Sequence, residues 1–224
     1  MLRLSVFLRD LTMLAQRLSS PFVFRNLPAL LMMAIVLPLL AGCGYNTIPT
    51  AEENAKAAWS QVLNQYQRRA DLIPNLVETV KGYAAHEKDT LDAVVEARAK
   101  ATQVTVTPET LSNPEAIKNF QDSQAGLTSA LSRLLAVVEN YPDLKANQNF
   151  LALQAQLEGT ENRIAVARRD YIQAVQEYNL TLKTFPSIIW ATLWFRGNQP
   201  FANFTIEEDK MQTPKVDFGT TQGG

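Results

Sequence analysis

Of 224 residues, one is cysteine, one is histidine and nine are glycine. The lone cysteine, Cys43, excludes any intramolecular disulfide, whatever the redox state of the compartment. The lone histidine, His86, excludes Cys/His metal clusters and the paired Glu-x-x-His sites of carboxylate-bridged bundles, which need two histidines on facing helices. His86-Glu87 begins like the zinc-protease motif, but Thr90 stands where its second histidine would be, so His86 reads as a partly exposed helix residue. Neither GxxxxGK[ST] nor GxGxxG occurs. An excess of charge of either sign is also lacking, with a formal net of −1. Within residues 1–42 four arginines face one aspartate and give +3, leaving −4 for the rest. A mildly acidic body argues against nucleic acid as a partner, because neutralising phosphates takes a basic face, and equally against strong adsorption to an anionic lipid surface.

A long apolar run occurs in one place. Residues 1–42 hold Arg3, Arg9, Arg17 and Arg25, then LPALLMMAIVLPLL, then Ala41-Gly42-Cys43, the layout of a targeting segment. Leu40-Ala41-Gly42-Cys43 resembles a bacterial lipobox, in which the cysteine thiol is lipidated and becomes the new N-terminus. The alternative is an uncleaved anchor, since no charge appears from Asn26 to Ala51. Met13 competes with Met1 as the true start, and either leaves arginines on the cytoplasmic side and the body outside the cytoplasm. Gly44, where an aspartate would favour inner-membrane retention in lipoproteins, points to the outer membrane.

After an uncharged link at 43–50, in which Thr50 and Glu53 fit a capping box, helical periodicity dominates. Trp59, Val62, Tyr66, Ala70, Ile73, Leu76 or Val77, Val80 and Tyr83 or Ala84 form one apolar stripe that keeps phase across Pro74, predicting a single helix kinked there. Past Gly82 the pattern loosens, then resumes with Leu91, Val94, Val95, Arg98 and Ala101, so Gly82 marks a joint. A second long helix is predicted from Pro114, capped by Asn113, to about Asn140, buried through Ile117, Phe120, Leu127, Leu131, Leu134, Leu135 and Val138. A third, from about Asn147 to Thr184, repeats Phe150, Leu157, Ile164, Tyr171, Tyr178 and Phe185 every seven residues, a period that favours near-parallel packing.

Short links make neighbouring helices antiparallel. The fold class is therefore all-α: an elongated up-and-down bundle over 51–204 with three long helices, the first kinked at Pro74, plus a short C-terminal helix. Residues 205–224 lack periodicity and read as a disordered tail. The segment SIIWATLWF is too short to span a membrane. It covers one end of the bundle or offers an aromatic surface to lipid or a partner.

The segment AAWSQVLNQYQRRADLIPNLVETVKGYAAHE, the preceding GYN and the later NFLALQAQLEGTENRIAVARRDYIQAVQEYN resemble the LemA family of bacterial envelope proteins over residues 44–204. The resemblance implies an antiparallel helical bundle held at a membrane by its N-terminal segment, no established enzymatic activity and no agreed catalytic residues. It also implies association with envelope proteases or membrane-organising proteins.

Carboxylates such as Glu78 and Glu87 could in principle act as an acid/base pair, but most acids alternate with Lys and Arg as solvated helix faces do. Two mid-helix clusters differ. Arg68-Arg69-Ala70-Asp71 and Arg168-Arg169-Asp170 each set one arginine toward solvent and one toward the core edge. A core-edge guanidinium needs a partner, and Asp71, Asp170, Glu161, Asn162 and Asn179 are the candidates. This polar network fixes helix register or, alternatively, binds an acidic ligand. The functional expectation is a lipid-anchored, periplasm-facing bundle, without cofactor or metal, that works through contacts with an envelope protein. The alternatives are a lipid- or ligand-binding sensor and a carboxylate-based envelope hydrolase.

Overall fold

The computed structural model describes residues 44–204 together with Pro28, Met32 and Met33. The lipobox, Cys43, the choice of start and the tail from 205 lie outside the described residues. From Thr47 onward the described residues form α1 (Thr47–Lys81), α2 (Lys88–Gln103), α3 (Pro114–Val138), α4 (Pro142–Lys145), α5 (Gln148–Thr181) and α6 (Ser187–Leu193), with a 3-10 turn at Pro108–Thr110. Among the described residues no helix is long and apolar enough to cross a membrane.

α1 buries the expected stripe, taking both Leu76 and Val77 inward and, past its end, Ala84 rather than Tyr83. It begins a turn earlier than the capping signal suggests. Thr50 and Glu53 lie inside the helix, whose start at Asn46 has no side-chain cap. The extra turn buries Ile48 in the core, which outweighs a surface cap.

Pro74 sits within α1 and cannot donate to the carbonyl of Ala70, four residues back. Arg98 of α2 replaces the missing donor: its Nε donates to the Ala70 oxygen at 2.8 Å. This explains why an arginine occupies a position in the apolar stripe of α2. Replacing Arg98 with methionine should therefore destabilise the bundle by about 1–3 kcal/mol, the cost of a buried carbonyl left unpaired. In a Pro74→Ala background, where the helix supplies its own N–H, urea titration should show a clearly smaller loss. Equal losses in both backgrounds would refute the exchange of donors.

The expected three long helices are present as α1, α3 and α5, and α2, with 16 residues, joins them as a fourth, shorter helix of the bundle. Gly82 ends α1 instead of jointing it, and the chain reverses over residues 82–87. α2 then runs back along α1, bringing Arg98 to Ala70 and, beyond its end, the Val106 carbonyl to Trp59. Val95, expected inside, is exposed because α2 packs on α1 and α3 through the narrower Leu91, Val94, Ala101 edge. The Asn113 side chain caps α3 by accepting from the N–H groups of Glu115 and Ala116, and Asn147 caps α5 in the same way.

α5 packs along α1 in the opposite direction, placing Glu161 beside Arg69 and Tyr171 beside Trp59. The heptad residues Phe150 to Tyr178 are buried as expected, but Phe185 is 75% exposed. The residue before a proline is driven out of helical geometry, so α5 stops at Thr181 and Phe185 falls beyond it. The result is an up-down-up-down arrangement whose longest helix, α1, has 35 residues and so measures about 50 Å.

One end of the bundle is built on aromatics. Trp59 packs on Phe120, Tyr171 and Phe204 at ring-centroid distances of 5.3, 5.0 and 5.9 Å, and its Nε1 donates to the Val106 carbonyl. Residues 199–204 form a strap sewn across this end. Tyr178 and Tyr171 donate to the carbonyls of Gln199 and Ala202, Asn179 pairs with both backbone groups of Phe201, and the Ala202 N–H meets the Leu111 carbonyl at 2.7 Å.

Candidate functional site

Midway along the bundle the core changes character. Two apolar clusters, one running from Ile48 through Trp59 to Tyr66 and the other beginning at Ile73, meet at Arg69. Arg69 follows from the sequence pattern: it adjoins Ala70 on the stripe, so the helix carries its guanidinium inward, where it is 1% exposed. Charge at that depth needs partners from neighbouring helices. Nη1 donates to Glu161 Oε1 of α5 at 2.8 Å and to Thr128 Oγ1 of α3 at 3.1 Å, and Nη2 donates to Gln124 Oε1 of α3. Gln124 in turn donates to the Ala101 carbonyl of α2 at 3.0 Å, so one guanidinium ties together all four bundle helices. The guanidinium also stacks 5.0 Å from the Tyr66 ring, and its Nε meets no acceptor among the described residues. Burial pushes the Tyr66 hydroxyl above the ordinary phenol range, partly opposed by the charges of Arg168 and Arg69.

Of the other predicted residues, Arg168 reaches this cluster through the Tyr66 hydroxyl and the rest do not join it. Arg68, Asp71, Asn162, Arg169 and Asp170 are exposed. Asp71 accepts from Gln67 Nε2 at 2.8 Å, and Arg169 lies 3.7 Å from its neighbour Asp170. Arg168 also stacks 4.5 Å over the Phe204 ring and clamps the strap, while Asn179 holds Phe201. Gln124 and Thr128 were not foreseen. Both lie on α3, far from Arg69 in sequence, and the one signal for Gln124 is its place between Phe120 and Leu127 on the buried stripe.

The surface holds shallow concavities. One of about 240 Å³ is lined by Glu52, Lys56, Glu109, Tyr178 and Asn198. Its polar groups are engaged with one another: Glu52 accepts from Lys56 at 2.7 Å and from Asn198 at 2.8 Å. Thr107 lowers the carboxyl pKa of Glu109, the direction opposite to a general acid's need. His86 and Glu78 are exposed, and Glu87 accepts from the Tyr141 hydroxyl at 2.9 Å. Among the described residues no group of three His, Cys, Asp or Glu side chains could hold a metal ion.

A family model described as the LemA family matches residues 58–218, more than half the chain and past the end of the strap. Magnetosome protein MamQ 2 of Paramagnetospirillum magneticum is 30% identical over 189 residues, covering 77% of this chain and 68% of that protein. Magnetosome protein MamQ of Magnetospirillum gryphiswaldense is 30% identical over 182 residues, covering 71% and 66%. Protein LemA of Metamycoplasma hominis is 24% identical over 140 residues, covering 62% and 60%.

Proposed function

Because this chain belongs to the LemA family, we propose that it is a membrane-anchored bundle without enzymatic activity that acts through contacts as an assembly component of the bacterial envelope. Similarity to proteins named for the magnetosome supports a part in building a cellular structure over a part in catalysis. The anchor is the N-terminal segment, by lipid on Cys43 or as an uncleaved helix, with the body on the periplasmic side. Gly44 has a packing reason of its own, since a Cβ there would stand 3.0 Å from the Trp190 ring. Its value as an outer-membrane sorting signal is reduced accordingly.

The observation that carries the contact reading is the outer face of α5. Leu151, Val166, Ile172 and Leu180 are exposed and spread over about 120° of the helix away from its buried heptad residues, Val166 beside Gln61 and Gln65 of α1 and Ile172 at the other edge. A long face of this kind suits a partner helix. Photo-reactive residues at positions 151, 166 and 172, cross-linked in intact cells and read by mass spectrometry, test it. Reproducible capture of one envelope protein is the expected result. Cross-links confined to lipid or to the same chain would overturn the partner reading.

A further inference from the structure

The described residues expose one dense apolar group, and it lies at one end of the bundle. Phe185, Ile189, Leu193 and Trp194 are 75%, 45%, 54% and 63% exposed, all within ten residues of chain around α6. The inner side of α6 is fixed: Ser187 donates to the Thr181 carbonyl, and Trp190 packs on Tyr45 at 5.6 Å and on Trp194 at 5.2 Å. These outward side chains therefore stand on a supported platform. Loose packing does not account for their exposure.

The place of this platform is informative. Gly44 lies against Trp190, and Tyr45 packs on both Trp190 and Phe195. The end bearing the apolar group is thus the end at which the chain arrives from the uncharged run 26–43. Anything that holds Cys43 or the residues before it at a bilayer brings α6 to the same surface. The far end, where α1 reaches Lys81, is about 50 Å away. Exposed Lys183 and Arg196 flank the apolar group, as suits anionic headgroups, while the acids near this end, Glu52 and Glu109, sit in the concavity beside Asn198, where Glu52 is paired with Lys56. Tryptophan beside aliphatic residues and a rim of Lys and Arg is the chemistry of the membrane–water interface.

We propose that the outer face of α6, through Phe185, Ile189, Leu193 and Trp194, inserts into the interfacial layer of the membrane that holds the N-terminal segment. This second contact, which rests on the anchored reading above, stands the bundle end-on and points its α1–α2 turn away from the bilayer. The outer face of α5 is then presented to partners along its length.

The full chain, extracted from membranes and reconstituted into vesicles of phosphatidylcholine and phosphatidylglycerol, provides the test. Lipids brominated near the glycerol should quench tryptophan emission, and most of that quenching should disappear in Trp194→Phe, which keeps an apolar ring but removes the reporter. In Leu193→Ser/Trp194→Ser, with an unchanged melting temperature as the fold control, proteolysis at the α6 platform should accelerate at least about tenfold as the lipid shield is lost. Chain that sediments with vesicles but shows equal quenching in wild type and Trp194→Phe overturns the docking while leaving the anchor intact. Chain that stays in the supernatant overturns both. Protection of α6 in detergent without lipid, whether by a second copy or by residues 26–43, also overturns the proposal.

Discussion

Trp59→Ala is expected to lower the unfolding free energy by about 3–5 kcal/mol, as truncating a fully buried large aromatic generally does. Trp59 is fully buried and touches aromatic partners from three directions: Phe120 on α3, Tyr171 on α5 and Phe204 on the strap. Its removal leaves a cavity that the stiff rings around it cannot close, and it orphans the Val106 carbonyl. Against a typical domain stability of about 5–15 kcal/mol, such a loss puts folding at risk. Trp59→Phe separates the two contributions, since it restores much of the volume but not the donor; it should retain a deficit of about 1–3 kcal/mol. Urea titration checks both variants. A Trp59→Ala midpoint close to wild type would mean that the strap and α3 do not depend on this ring.

The second large effect concerns Arg69 and runs against the habit of counting salt bridges as stability. Glu161 is 46% exposed on its side-chain surface, whereas Arg69 is 2%. Deleting Glu161 thus strands a buried cation with only neutral acceptors, while deleting Arg69 lets Glu161 return to water. Glu161→Ala should cost about 1–3 kcal/mol, the usual value of a hydrogen bond to a charged group. Arg69→Met, which keeps the volume and removes the charge, should cost less than Glu161→Ala. The double-mutant cycle should be non-additive, since Glu161→Ala has little left to remove once Arg69 is methionine. Additive losses would deny the pairing that the 2.8 Å contact indicates. The layer also bears on register. Arg69 meets Glu161, Thr128 and Gln124 at one level, and sliding α5 by one turn would carry Glu161 about 5.4 Å away. The bundle with Arg69→Met is expected to melt less cooperatively even where its midpoint is preserved.

How much was legible in advance depends on how local each feature is. The stripes of α1, α3 and α5 and the cap at Asn113 rest on spacings of three, four and seven residues and on a single side chain next to a helix start. Each can be read without knowing what the helix touches. The start of α1 was misjudged because Thr50 and Glu53 make an adequate local cap, and only the packing of Ile48 against the rest of the core shows that another turn is worth forming. The separate identity of α2 was missed for a similar reason. Gly82 followed by a loosened pattern suits a joint or an end, and contact between Arg98 and the Ala70 carbonyl decides for a reversal.

The candidate sites divide in the same way. Mid-helix Arg69 marks itself as a core-edge charge from its position beside Ala70, and Glu161 is a plausible partner from the sequence alone. Gln124 and Thr128 bear no such mark, because polar residues on an amphipathic helix are ordinary until a buried donor faces them. Arg168 resembles Arg69 in its surroundings, yet it stacks on Phe204, a residue whose approach depends on a strap held by Asn179, Tyr171 and Tyr178.

By itself the amino-acid sequence determined the all-α class, the extents of α3 and α5 to within a few residues and the inward faces, because these follow from periodicity and local backbone chemistry, and it carried the resemblance to the family in its quoted segments. The tertiary structure alone decided which helices lie side by side, that Arg98 completes the helix at Pro74, that Arg69 joins four helices, and that the aromatic outer face of α6 sits where the chain enters. Those are contacts between residues roughly 25 to 150 positions apart. Such pairings are set by how whole faces fill space against one another, a quantity that no local pattern encodes.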